Sequence, residues 1–312
     1  PQTKNSFFEK LPYFVIAITI GIITLSSREE DNFLNSTHHF SILERIGFSG
    51  YAILSYFKNF IAPFKLSVIY PYPDNELFAI IAGYVLIVAF LVLFYFWYRA
   101  KKTALIGISV FFLANLILVL QFIPFGETLT ADRYMYIPII AICWLIIFLI
   151  KPSETATKYI LIFSILVFGP LTFLRTSVWK NSFELYSDIL KKHPRSAVAI
   201  TSLGAEYLAK NEDLKALSCF NQAVQLSPSN YKIYYNRGLA FSKNKRNKEA
   251  IADFSKAIEL HQYSKAFAAR ANVYYDEKNY SAAINDAKQA LSKDPKNVRS
   301  FFVLGNVYND LN

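Results

Sequence analysis

Two patterns of apolar residues divide the chain. Up to about residue 178 they come in long, almost unbroken runs; beyond it they recur every three to four positions with polar residues between, the spacing of amphipathic helices. Crossing about 30 Å of hydrocarbon takes about 20 apolar residues in a helix. Residues 76–98 meet that test most clearly, with no charge after Glu76. Residues 103–125 follow the basic turn of Arg99, Lys101 and Lys102, and 136–150 and 158–174 form a second pair around Lys151 and Lys158. Residues 11–26 make a fifth, shorter run. The stretch 46–64 carries Lys58 and ends near Pro63, so an interfacial or re-entrant helix is as good a reading as a span. The expectation is about five spans plus one interfacial helix. Basic loops stay on the cytoplasmic side, which puts 63–75, 126–136 and everything after Arg175 outside.

The later pattern repeats at a period of 34, then 33, then 34 residues. The units run 197–230, 231–263 and 264–297, with a partial unit over 298–312. Gly204, Gly238, Ala271 and Gly305 occupy one register position, and Tyr207, Phe241, Tyr274 and Tyr308 another. Ala216, Ala250 and Ala283, then Ala223, Ala257 and Ala290, mark the second helix of each unit. Phe183, Tyr186, Ile189 and His193-Pro194 read as the second helix of a preceding half unit. This is the tetratricopeptide pattern, whose hairpins bury their apolar faces only by stacking. Ala287 departs from it, standing where Phe220 and Phe254 stand, which predicts a looser third hairpin. The fold class expected is all-α: a multispan transmembrane bundle over 1–178 followed by an α-solenoid over 179–312. First helices line the groove of such a solenoid. Asn236, Asn272, Asn306, Tyr235 and Lys265 fall there, and asparagine amides can hold an extended peptide through its backbone. The alternative is that these are solvated polar positions.

Composition supports the division. Of 312 residues 54% are hydrophobic and 18% charged, too apolar for a disordered chain. The net charge of +10 is uneven, +3 over residues 1–179 and +7 over 180–312. That excess suits an acidic peptide or an anionic membrane surface; nucleic acid is not expected as a partner of a solenoid held outside a membrane. Cys143 and Cys219 lie in unlike segments and are not expected to pair. The chain starts at Pro1 with Met135 as its one methionine, and so reads as part of a longer product. His38-His39 near Glu29, Glu30 and Asp31 reads as a solvated pair, and no metal site is assigned there. Asn115 and Gln121 read as helix-bridging groups. No glycine-rich phosphate loop, paired-cysteine zinc site or serine-hydrolase elbow is present.

Two stretches between spans carry the candidate chemistry: Tyr70-Pro71-Tyr72-Pro73, and Ala131-Asp132-Arg133-Tyr134-Met135-Tyr136-Ile137-Pro138. With Leu11-Pro12-Tyr13-Phe14, Leu43-Glu44-Arg45 and Trp179, in that order along the chain, they resemble the multispan membrane proteins with external tetratricopeptide repeats. Animal members of that family are the transmembrane and tetratricopeptide repeat-containing O-mannosyltransferases, and this chain is more similar to the bacterial relatives. The resemblance implies a glycosyltransferase of the multispan, lipid-donor class (the GT-C architecture), passing a sugar from a polyprenyl-phosphate carrier to a protein acceptor. It also implies a multi-pass protein of a bacterial inner membrane with periplasmic repeats. The family's catalytic acidic residue would lie in a loop upstream of Pro1, so no catalytic residue is assigned.

The loop residues suit the rest of such a site. Arg133 keeps its charge at a membrane surface and can grip a phosphate with a bidentate fork. Asp132 and Glu127 are two carboxylates in one loop, which allows for a divalent cation; no other cofactor is expected. Tyr134 and Tyr136, with Tyr70 and Tyr72, can stack on a sugar. The alternative is structural: Asp132 caps a helix, Arg133 snorkels to headgroups, the tyrosines form an interfacial belt and the prolines fix a turn. Two rival functions remain, a non-enzymatic membrane-anchored scaffold for protein–protein interaction, and a transporter-like assembly factor for envelope polysaccharide. The second would need a polar path through spans that carry almost no charge.

Overall fold

The computed structural model describes residue 19, residues 40–116, residue 120 and residues 128–311. These form thirteen α-helices: α1 Ile42–Ile61, α2 Glu76–Arg99, α3 Thr103–Leu116, α4 Pro138–Ile150, α5 Glu154–Thr176, α6 Ser182–Lys192, α7 Ala197–Ala209, α8 Asp213–Leu226, α9 Tyr231–Lys243, α10 Asn247–Leu260, α11 Ser264–Asp276, α12 Tyr280–Lys293 and α13 Val298–Leu311. Two very short strands, Tyr70–Pro71 and Thr128–Thr130, and three 3-10 turns complete the described elements. The chain divides into two compact units. One holds residues 1–61, 72–130 and 134–141; the other holds 62–71, 131–133 and 142–312.

In the first unit α1 crosses α2 through small residues. Gly47 and Gly50 face Gly83 so closely that a Cβ on Gly83 would run into the Gly47 carbonyl. Tyr84 Oη donates to the Leu43 carbonyl at 2.6 Å. Phe40, Phe48 and Tyr72 form an aromatic trio with centroids 4.7–5.1 Å apart. Elsewhere α2 is apolar on all sides, and only Ala79 and Gly83 are buried.

Two described helices are long and apolar enough to cross a membrane: α2, and α5 with the turn that follows it (Glu154–Trp179). The sequence predicts about five. Helix α4 has 13 residues, short of the roughly 20 that a span needs, and α3 is described over 14 residues up to Leu116, where the described residues break off. The run 11–26 and the end of 103–125 lie outside the described residues except for residues 19 and 120. The Asn115 amide donates to the Phe111 carbonyl one turn back in α3, at 2.8 Å, and Gln121 lies outside the described residues.

In the second unit the hairpins start where the repeat units do, at Ala197, Tyr231, Ser264 and Val298. Local chemistry fixes those ends. Ser196 caps α7, Asn230 caps α9 and Asn279 caps α12, each side chain accepting a backbone N–H. Each tight turn inside a hairpin holds one residue in the left-handed region, Asn211, Lys245 or Lys278, with φ of 61°, 56° and 59°. The first helices, α7, α9, α11 and α13, contact one another in succession, as do adjacent hairpins. Phe220 fills the space left by Gly204, and Phe254 that left by Gly238. In the third hairpin the expected gap is closed differently: Ala287 is fully buried with Ala271, Val303 and Val307.

This packing yields a test. A Cβ at Gly238 would meet the Phe254 ring at 2.7 Å, whereas one at Gly305 meets nothing within 4 Å. Gly238→Ala is expected to destabilise by about 1–3 kcal/mol through overpacking. Gly305→Ala should be neutral or stabilising by up to about 1 kcal/mol through helix propensity. Chemical denaturation of the full chain followed by circular dichroism separates the two.

Candidate functional site

Val68, in the segment joining α1 to α2, is buried with Ile189 of α6 and Ala199 of α7. Lys192 of α6 donates to the Leu66 carbonyl at 2.7 Å. This anchoring brings Tyr70 and Asp132 together beside the start of the solenoid. Tyr70 Oη donates to Asp132 Oδ1 at 2.8 Å and accepts the Ser67 N–H at 2.8 Å. The Tyr70 ring meets His193 edge-on, with centroids 5.5 Å apart. Asp188 binds two cations, Arg175 from the end of α5 and Lys192, each at 2.7 Å.

The electrostatics follow from that geometry. Burial raises the Asp132 carboxyl above its ordinary range, although the Tyr70 hydrogen bond and the charges of Arg175 and Lys192 pull the other way. Burial, then the neighbouring Asp132 charge, raises the Tyr70 phenol. Asp188 is lowered, since its two cations outweigh a smaller degree of burial. His193 is lowered by burial and by Lys192. Ser67 Oγ and His193 Nε2 are buried here with no hydrogen-bond partner among the described residues, the kind of group a polar ligand satisfies.

The other loop candidates are dispersed. Arg133 lies in the 3-10 turn Asp132–Met135, and its side chain is outside what is described. Glu127 falls outside the described residues too. Tyr72, Tyr134 and Tyr136 belong to the first unit, Tyr70 and Asp132 to the second. Tyr72 is committed to the aromatic trio, and burial pushes its phenol up to about 12. Tyr136 is 70% exposed. No cluster of three His, Cys, Asp or Glu occurs among the described residues. Asp132 is moreover engaged by Tyr70 and lies in the field of two cations. Cys143 and Cys219 are both free thiols.

On the solenoid, Asn272 and Asn306 stand at the ninth position of their helices and Asn236 at the sixth. The three therefore do not form one level row, and Asn236 sits one turn earlier. Leu239 takes the ninth place in α9 and packs beside Phe254. Tyr235 is half-buried between hairpins, its ring 5.2 Å from that of Tyr263 and 6.0 Å from that of Phe254. Lys265 is exposed, with its ammonium 5.9 Å from the Tyr263 ring.

The most regular polar feature went unnoticed in the sequence. Arg237 grips Asp253 with two hydrogen bonds of 2.7 and 2.8 Å and reaches Asn221 of the preceding hairpin at 2.9 Å. Arg270 repeats this with Asp286 at 2.7 and 3.0 Å and Ser255 at 2.7 Å. The signal was available, because both arginines and both aspartates recur 33 residues apart.

Stacked antiparallel hairpins of this length, with small-to-aromatic contacts inside the first two, define an α-solenoid. Comparison with known proteins identifies it: a family model described as TPR repeat matches 204–245, and models described as Tetratricopeptide repeat match 231–263 and 268–312. Residues 204–312 are therefore a tetratricopeptide-repeat array. Protein STIP1 homolog of Dictyostelium discoideum is 29% identical over 109 residues, covering 35% of this chain and 19% of that protein. DnaJ homolog subfamily C member 3 of Bos taurus is 33% identical over 94 residues, 30% of this chain and 19% of that one. The chain thus spans about a fifth of the length of these relatives. Among solved structures, the first TPR of Spaghetti (RPAP3) bound to an HSP90 peptide is similar, with a TM-score of 0.36, 22% identity, and coverage of 37% of this chain and 92% of that one.

Proposed function

We propose that this chain is the rear membrane part and the acceptor-binding arm of a glycosyltransferase that moves a sugar from a polyprenyl-phosphate donor to a protein. The observation that carries the reading is the meeting of Tyr70 and Asp132, 62 residues apart in sequence, on the first hairpin of a protein-binding solenoid. A peptide held by the repeats would be presented next to that polar cluster. Asp132, kept toward its protonated form, can hold or release a proton there. Arg133, its neighbour, is assigned the donor phosphate on chemical grounds. The exposure of α2 and α5 on nearly every side supports a bilayer as their surroundings, since helices apolar all round are buried in protein or lipid. The five-span bundle, the periplasmic repeats and the bacterial inner membrane are parts of the same proposal.

Transfer of radiolabelled sugar from a polyprenyl-phosphate donor to a protein acceptor by the full-length protein tests it. Arg133→Ala and Asp132→Asn are each expected to lower transfer by about two orders of magnitude without reducing membrane insertion. Unchanged transfer in both variants removes the enzymatic reading. Peptide capture with no transfer by the wild type favours the scaffold instead.

A further inference from the structure

The positive charge of the repeat part is concentrated on one edge of the solenoid. Stacked hairpins place the ends of second helices and the starts of first helices together on one edge, with the tight hairpin turns on the other. Taking one helical turn on each side of the connections, the tight-turn edge carries seven Lys and Arg against six Asp and Glu. It is close to neutral, and its cations include ion-paired Lys215, Lys243 and Arg246. The opposite edge, over 189–200, 223–234, 257–267 and 290–301, carries eight Lys and Arg against two acidic residues. Lys191, Arg195, Lys265, Lys293, Lys296 and Arg299 are all exposed there, and none forms an ion pair among the described residues. His261 registers the resulting field: burial first, then the charges of Lys232 and Lys293, hold it below its ordinary value.

We propose that this basic edge lies on a bilayer and binds anionic lipid phosphates. The same unit supplies the reason for preferring lipid to an acidic protein. Helix α5, with 23 residues and no buried side chain, carries Arg175 in its last turn, clasped by Asp188 of α6 one turn before Lys191 and Lys192. The segment joining α1 to α2 packs on that same end of α6. Lys and Arg side chains held close to a bilayer surface are drawn to anionic lipid phosphates. The inference rests on the reading of α5 as a membrane span.

The test uses the full chain with Cys143→Ser and Cys219→Ala, reconstituted into vesicles carrying a headgroup-spin-labelled lipid. One fluorophore is placed at Lys296→Cys on the basic edge and, in a second protein, at Lys245→Cys on the opposite edge. With phosphatidylglycerol present, the edge label should be quenched about threefold more than the Lys245 label. The difference should vanish in pure phosphatidylcholine and shrink severalfold at about 0.5 M salt. Lys293→Glu with Arg299→Glu should abolish it in protein of unchanged helix content. Equal quenching at the two edges, indifference to lipid charge, or a response to polyglutamate peptide but not to phosphatidylglycerol would overturn the proposal. Failure to float with neutral vesicles would remove the span reading and this inference together; flotation without edge-specific quenching removes the inference alone.

Discussion

Asp286→Ala is expected to destabilise the third hairpin by about 3–5 kcal/mol, the cost of stranding a buried charge. Asp286 is only 4% exposed in its side chain, and its partner Arg270 only 18%. Burial works against the Arg270 charge, and the paired carboxylate more than compensates, holding the guanidinium above its ordinary value. Removing the carboxylate leaves that cation in place with Ser255 as its remaining contact in the network. The first repeat shows how the position works without charge, since Leu203 and Cys219 stand where the Arg and Asp stand in the next two units. Arg270→Leu combined with Asp286→Cys should therefore recover most of the loss, because replacing a buried pair by apolar groups is often neutral. Ser255 stays satisfied in that variant through its bond to the Ile251 carbonyl. Hydrogen exchange of α11, α12 and α13 in the full chain reads the difference directly. Equal protection in the single and double variants would mean that the pair does not hold the hairpin.

Gly83→Val should separate α1 from α2. A Cβ at Gly83 meets backbone atoms of Gly47 and Tyr51, not the end of a flexible side chain, so relief requires the helices to move apart. The expected cost is at least the upper end of the 1–3 kcal/mol typical of overpacking. Gly107→Val on α3, where a Cβ meets nothing within 4 Å, is the control. Heating the detergent-solubilised chain and measuring what remains monodisperse should show Gly83→Val failing several degrees earlier. Equal midpoints would show that α1 and α2 do not cross at these glycines.

The repeats were legible because their signal is periodic and local. Unit starts predicted at 197, 231 and 264 coincide with the first residues of α7, α9 and α11. The segment around Phe183 and Ile189 is the second helix expected there, α6. Packing inside the third hairpin was misjudged because Val303 and Val307 come from the next helix, and a single-position comparison of Ala287 with Phe220 cannot see them. The Arg–Asp pairs were overlooked because charged residues on a helix read as solvated until their burial is known. In the Asn236, Asn272 and Asn306 ladder the two later members share a register, and Asn236 stands three positions earlier in its helix. The apolar runs 76–98, 136–150 and 158–174 fall on α2, α4 and α5. The site is the least local feature of all. Tyr70 and Asp132 were both singled out as residues, but their pairing and the clasp of Arg175, Asp188 and Lys192 depend on tertiary folding.

The central claim is that the Tyr70 loop is seated on the first hairpin of the solenoid. A short bismaleimide applied to Tyr70→Cys with His193→Cys, in the full chain lacking Cys143 and Cys219, tests it most directly. Cleavage at a protease site placed in the turn over 151–153 then shows whether the two parts remain joined on a denaturing gel. Near-complete linkage is expected, against background for Tyr70→Cys with Lys278→Cys. Linkage of the two pairs to the same low extent would contradict the account.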